Sequence, residues 1–204
     1  MKKYRTAFLG STRGTVLKPI FAAWELKQLS IEPVGIFTDR QNAPIRLRAE
    51  EHGLPSFSIA PGGKSREEFD RELSAALEKE RTELVVFCGF MRIVSPWFVQ
   101  RWKGRVINTH PSLLPAHKGK MDMEVHRAVV ANKESFTGCT IHLVSEEVDG
   151  GEIIMQKKCP VLPEDTPETV KAKVQNLEVQ CYMKILSAPE EYLPELNFSF
   201  CISS

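Results

Sequence analysis

What this 204-residue chain lacks narrows its class before any motif is read. It has no apolar run near the ~20 residues that span a bilayer, so no membrane partner is expected. Excess charge of one sign is missing too: 27 Lys and Arg stand against 26 Asp and Glu, a formal net of +1, which argues against a dedicated nucleic-acid binder. The five cysteines are an odd number without a C-x-x-C pair, so neither a disulfide framework nor a zinc site is suggested, and no metal is expected. Reduced thiols, and no signal-peptide core after Met1-Lys2-Lys3-Tyr4-Arg5, point to the cytoplasm. Internal repeats and low-complexity segments are absent as well. With 42% hydrophobic residues the chain can bury a full core, and one domain over 1–204 is expected.

What is present is an alternation of short apolar runs and helical stripes. Thr6 to Leu9, Val34 to Thr38, Pro55 to Ile59 and Leu84 to Cys88 read as strands. Helices are expected through Leu17 to Leu26, from Ile45 to His52, after the Ser65-Arg66-Glu67-Glu68 capping box, and after Ser95-Pro96. Strands alternating with helices mean parallel pairing, so the expected fold is α/β: a mainly parallel twisted sheet with helices on both faces. Beyond Val106 the pattern changes. A helix from Met123 to Val130 leads to a hairpin, Gly138 to Val144 and Glu152 to Val161. A long helix opening at Thr166-Pro167 carries a buried stripe of Val170, Val174, Leu177, Cys181 and Ile185. From Ser187 onward irregular chain is expected, including Phe198, Phe200 and Ile202.

The stretch Val106-Ile107-Asn108-Thr109-His110-Pro111 carries the chemistry. On extended backbone Asn108 and His110 leave one face, and Pro111 holds the chain extended where the strand stops. Open α/β sheets bind ligands at that edge. Downstream, Glu147-Val148-Asp149-Gly150-Gly151 places a carboxylate in a tight turn. Amide, imidazole and carboxylate together suit acyl transfer, as oxyanion donor, general acid/base and partner to the imidazole. The same residue types also describe a local cap and a structural imidazole. Other segments are equally two-sided. Gly10-Ser11-Thr12-Arg13-Gly14-Thr15, between a strand and a helix, is either an anion site or a plain connection, being neither a Walker loop nor G-x-G-x-x-G. Gly89-Phe90-Met91-Arg92-Ile93-Val94 would normally be core, Arg66 a solvated charge, and Gln175 with Glu178 a solvated helix edge. His117 and His126 read as surface or packing residues.

The string I-N-T-H-P-S-L-L-P, with F-C-G-F-M-R-I before it and E-E-V-D-G-G-E-I-I after it, resembles the folate-dependent formyltransferases, in order and over nearly the whole chain. The resemblance implies transfer of formyl from 10-formyltetrahydrofolate, as co-substrate, to a small-molecule amine, with glycinamide ribonucleotide the expected acceptor. A related acceptor such as an amino sugar nucleotide, deformylation, and a non-catalytic folate-binding homologue are the other readings. It implies catalytic roles for Asn108, His110 and Asp149, and an acceptor-phosphate loop at Gly14, Thr15 and Val16. Gly89, Pro111, Gln175 and Glu178 become acceptor contacts. Arg66, Met91, Arg92, Ile93, Val94, Asn108, Glu147 and Val148 become folate contacts. Two departures stand out: common members carry Asn where Val16 stands, and the segment from Lys118 to His126 is a few residues longer. A monomer or weak homodimer is expected.

Overall fold

The structure is a computed structural model that describes residues 2–197. Among the described residues, seven strands form one sheet in the order β3-β2-β1-β4-β5-β6-β7. They are β1 (Tyr4–Leu9), β2 (Ile31–Thr38), β3 (Ser56–Ser58), β4 (Leu84–Phe87), β5 (Val106–His110), β6 (Phe136–Leu143) and β7 (Ile153–Pro160). Pairing is parallel from β3 through β5 and antiparallel for β5–β6 and β6–β7. The mainly parallel sheet is thus observed.

Strand alternation sorts the core into two layers. Phe8, Val86 and Ile107 pack with Leu17, Ile20, Val174 and Ile185 on one face. Ala7, Leu9, Val85, Phe87 and Val106 pack with Phe69, Leu73 and Phe98 on the other. The first layer belongs to α1 (Leu17–Glu25), α5 (Met123–Ala131) and α6 (Pro167–Ser187); the second to α3 (Arg66–Lys79) and α4 (Pro96–Arg101). A further short helix, α2, spans Arg46–Glu51. Strands covered on both faces have no reason to alternate polar residues, which is why β4 is Leu-Val-Val-Phe, buried throughout.

Capping chemistry fixes the helix starts. Ser65 accepts from the Glu68 N–H while the Glu68 carboxylate accepts from the Ser65 N–H, the reciprocal box its spacing implies. Thr166 accepts from the Thr169 N–H and Pro167 occupies the first turn of α6.

Two expectations need correction. The second strand begins at Ile31, not Val34, because Pro33 is taken up where the β1–β2 register shifts between Thr6 and Ala7. The chain after Ser187 is not irregular: α7 (Pro189–Tyr192) and a 3-10 turn at Pro194–Asn197 fold back, burying Leu193 and Leu196 in the α1/α6 layer. Each is a single turn, too short for helical periodicity to register. Phe198, Phe200 and Ile202 lie outside the described residues.

Candidate active site

β5 runs between β4 and β6, and its last three residues reach the carboxyl edge of the sheet. Thr109 points to α6, where its hydroxyl donates to Glu178 Oε1 at 3.2 Å. Asn108 and His110 leave the opposite face together. The hairpin returns Asp149 to them: His110 Nδ1 lies 3.2 Å from Asp149 Oδ2, with both side chains nearly buried. Asp149 sits at φ 52°, a left-handed conformation that Asp tolerates better than most residues. Gly151, two residues on, is forced by close approach, since a Cβ there would stand 1.8 Å from the Leu143 carbonyl oxygen.

Burial works to raise the Asp149 pKa, but hydrogen bonds from His110 and the Gly119 N–H, with the neighbouring imidazole charge, outweigh it. The carboxyl is therefore held below its ordinary range and is ionised at neutral pH. On its far side the His110 ring meets the His117 carbonyl, 3.2 Å from Nε2. Acceptors thus flank both ring nitrogens, an arrangement satisfied in full when both carry hydrogen.

The trio opens onto a cleft of about 900 Å³. One wall is the loop after β1, with Gly14, Thr15 and Val16; another is the loop after β4, from Gly89 to Val94; α6 contributes Gln175 and Glu178; Glu147 and Val148 stand at the mouth. Gln175 Nε2 donates to Thr15 Oγ1 at 3.3 Å, closing α6 onto the first loop. Val16 at the start of α1 lines the cleft but is only 6% exposed, its side chain packed in the core. Met91 and Ile93 are large and half-exposed on the second loop, an apolar surface offered to a flat ligand. The Arg92 guanidinium lies over the Phe69 ring at 4.1 Å. Pro111 also lines the cleft. Arg66 does not: it opens α3, exposed and outside the cleft lining.

A sequence model of the family described as Formyl transferase matches residues 4–186. The chain belongs to the formyl transferase family. Phosphoribosylglycinamide formyltransferase of Escherichia coli (strain K12) is 35% identical over 178 residues, covering 87% of this chain and 82% of that protein. A trifunctional purine biosynthetic protein, adenosine-3, of Gallus gallus is 36% identical over 181 residues, covering 88% of this chain and 18% of that protein. The crystal structure of glycinamide ribonucleotide transformylase 1 from Symbiobacterium toebii superposes with a TM-score of 0.86 at 30% identity, covering 93% of this chain and 88% of that one.

This formyl transferase also holds residues that the sequence did not bring forward. His142 on β6 pairs across the ladder with Asn108. Its Nδ1 is 2.9 Å from the Leu143 carbonyl and must donate there, leaving Nε2 as the acceptor facing Asn108 Nδ2 at 3.4 Å. Burial depresses its pKa, which keeps that neutral tautomer. His142 therefore fixes which end of the amide carries N–H and leaves the second N–H free to turn to the cleft. The only signal for it was its place in the alternation, opposite Cys139 and Ile141. Ser11 joins two cleft walls: its N–H donates to the Gly89 carbonyl at 2.9 Å, and its hydroxyl accepts from the Met91 N–H at 3.0 Å. Glu178 is 7% exposed rather than a solvated edge, and burial pushes its pKa up to about 7 against the Thr109 hydrogen bond. His117 packs, its Nε2 2.8 Å from Glu134 Oε1. His126 is likewise no surface residue, being 1% exposed.

Proposed function

We infer that this chain transfers the formyl group of 10-formyltetrahydrofolate to the primary amine of glycinamide ribonucleotide, the step in purine biosynthesis performed by the relatives of that name. The observation that carries the reading is the buried His110–Asp149 pair beside Asn108, at the meeting point of a backbone-rich loop and an apolar loop. We take residues 1–204 as one catalytic domain acting on small molecules in the cytoplasm.

The loop at Gly14, Thr15 and Val16 holds the acceptor's phosphate through backbone N–H groups at the start of α1, where the helix dipole also favours an anion. The buried Val16 side chain removes nothing from such a contact. Gly89, Pro111, Gln175 and Glu178 place the ribose and the amine. Met91, Arg92, Ile93 and Val94 hold the pterin, with Glu147 and Val148 closing its edge.

Attack by the acceptor amine on the formyl carbon builds negative charge on the formyl oxygen. Asn108 Nδ2, oriented by His142, donates to that oxygen. His110 Nε2, once the His117 carbonyl gives way, stabilises the same charge and delivers a proton to the departing folate nitrogen. Asp149 favours the charged imidazole and, directly or through a water, takes the proton the amine loses. One C–N bond forms, one breaks, and the proton count closes. Because the folate nitrogen is already a good leaving group, no metal is required.

The deciding experiment offers the protein 10-formyltetrahydrofolate with a panel of acceptors and follows tetrahydrofolate release. Glycinamide ribonucleotide supports turnover. Equal or faster turnover with an amino sugar nucleotide or initiator methionyl-tRNA, or none with any acceptor, overturns the assignment.

A further inference from the structure

We propose that His126 of α5 and Lys171 of α6 form an acceptor-recognition pair, the imidazole taking a hydroxyl and the ammonium the phosphate of the ribose 5-phosphate moiety. This rests on the reading above and adds to it the residues that select a phosphorylated ribose.

The first observation is an unsatisfied atom. His126 is 1% exposed, yet its Nδ1 is buried with no hydrogen-bond partner, and the residue lines the cleft. Buried polar atoms of this kind are rare because folding strips them of water and returns nothing. An imidazole needed only for packing would be served as well by Leu or Phe. A ligand hydroxyl entering the cleft supplies the missing partner. Burial pushes the His126 pKa down to about 4, with Asp122 opposing and Lys171 reinforcing the shift, so the ring is neutral at working pH and is not a second anion hook. Its ring accepts or donates with a hydroxyl, which is itself both.

The second observation is a cation with an exchangeable partner. Lys171 lines the same cleft, and on α6 it precedes Gln175 by one turn, so both lie on one face with Glu178. Gln175 already touches Thr15 of the first loop, which puts Lys171 within side-chain reach of anything bound there. Its Nζ pairs with Asp122 Oδ1 at 2.6 Å, but that carboxylate is 63% exposed. Such surface pairs are weak. A phosphate dianion, bound otherwise only by neutral backbone N–H groups, is a stronger partner and displaces the Asp122 carboxylate. Lys171 thus brings a positive charge to the cleft that the core-buried Val16 side chain also lines without offering a donor.

Three variants test the pair: His126→Leu keeps apolar volume, His126→Asn restores a polar group, and Lys171→Met removes the charge. Steady-state kinetics are measured with glycinamide ribonucleotide and with its dephosphorylated riboside. Lys171→Met raises KM for the phosphorylated acceptor by roughly tenfold or more and leaves the riboside within about twofold. His126→Leu raises KM for both by roughly fivefold to tenfold with kcat nearly constant, and His126→Asn recovers most of that loss. Equal effects of Lys171→Met on the two acceptors overturn the phosphate contact. A fall in melting temperature with unchanged KM for His126→Leu overturns the hydroxyl contact. Asp122→Asn is the control for an indirect role: if it reproduces the Lys171→Met loss, the lysine acts by holding the loop and the proposal fails. Calorimetric titration with ribose 5-phosphate separates this inference from the assigned reaction. Binding that weakens in Lys171→Met supports the pair even in a protein that turns over another acceptor, and binding indifferent to both substitutions overturns it.

Discussion

The end of β5 and the segment from Pro115 to Asp122 face each other across His110, and they are built by opposite means. Asn108, Thr109 and His110 are held by the ladder to β6, and the strand below them is pinned to β4 at Val106 and Ile107, both buried. The facing segment has no ladder. His117, Gly119 and Asp122 all lie at positive φ, and its outward ties include His117 to Glu134, the His117 carbonyl to His110, Lys118 to Glu147, Asp122 to Lys171 and the Gly119 N–H to Asp149. The proposed chemistry is held by the sheet, whereas the cover over it is fastened by side-chain ion pairs and by hydrogen bonds to the His110–Asp149 pair itself. A rigid base under a loosely tied cover lets substrates enter without disturbing the geometry that acts on them.

The largest effect comes from breaking the sheet-held side. Loss of an oxyanion donor typically costs ~2.7–4 kcal/mol, so Asn108→Ala is expected to lower kcat by about 10²–10³ with small changes in KM. His110→Ala should be at least as severe. Asp149→Asn lowers kcat too, and because the carboxyl is held below its ordinary range, the acid limb of the wild-type kcat profile lies below that range and is abolished in the variant. Sign and window follow from the depressed value: Asp149 adds stability above the unfolded carboxylate pKa and loses it as pH falls through the folded one. Full turnover in any of the three variants would refute the assigned roles.

This same contrast explains what the sequence disclosed. Strand ends and caps are local, so Val106 to His110, the Ser65 box and the Thr166-Pro167 start of α6 were all legible from spacing and residue type. Asp149 was legible because a carboxylate before two glycines forces a turn. His142 was not, since its role arises from a cross-strand register that no local pattern records. For Glu178 and His126 the sequence left two readings open for a related reason: whether a helical polar residue is solvated or buried depends on which helix packs over it, here α5 against α6. Arg66 is exposed in the capped first turn of α3, as its reading as a solvated charge implied.

A smaller effect sharpens the comparison on the α6 side. Glu178 has its pKa raised to about 7, so the folded protein binds a proton that the unfolded chain releases near its ordinary 4.5. Its contribution is therefore fully present below the unfolded value and lost as pH rises through about 7. Glu178→Gln should be more stable than the parent above pH 7, by on the order of 2 kcal/mol, and should lose that advantage toward pH 4. Denaturant titrations at several pH values measure this; a difference that does not vary with pH would show that the carboxyl titrates alike in the folded and unfolded chain.

The smallest effects belong to the cover. Lys118→Met removes an exposed ion pair and should change kcat by less than about threefold, in keeping with the ~0–1 kcal/mol of such pairs. Amide exchange should rank the two sides directly, with slow exchange at Ile107 to His110 and fast exchange from Lys118 to Asp122. A folate analogue should slow exchange from Gly89 to Val94 and raise the melting temperature. Equal protection of β5 and the cover in the free protein would erase the distinction.

Val16 has one more consequence. With its side chain in the core, the proposed phosphate cradle is written at this position in a script that side-chain substitution does not edit. Drift or laboratory evolution at position 16 can alter packing and folding yield, but it has little purchase on which anion is held. Attempts to retrain this formyl transferase toward another acceptor are better aimed at the α5–α6 seam, where each position carries its own chemical vocabulary.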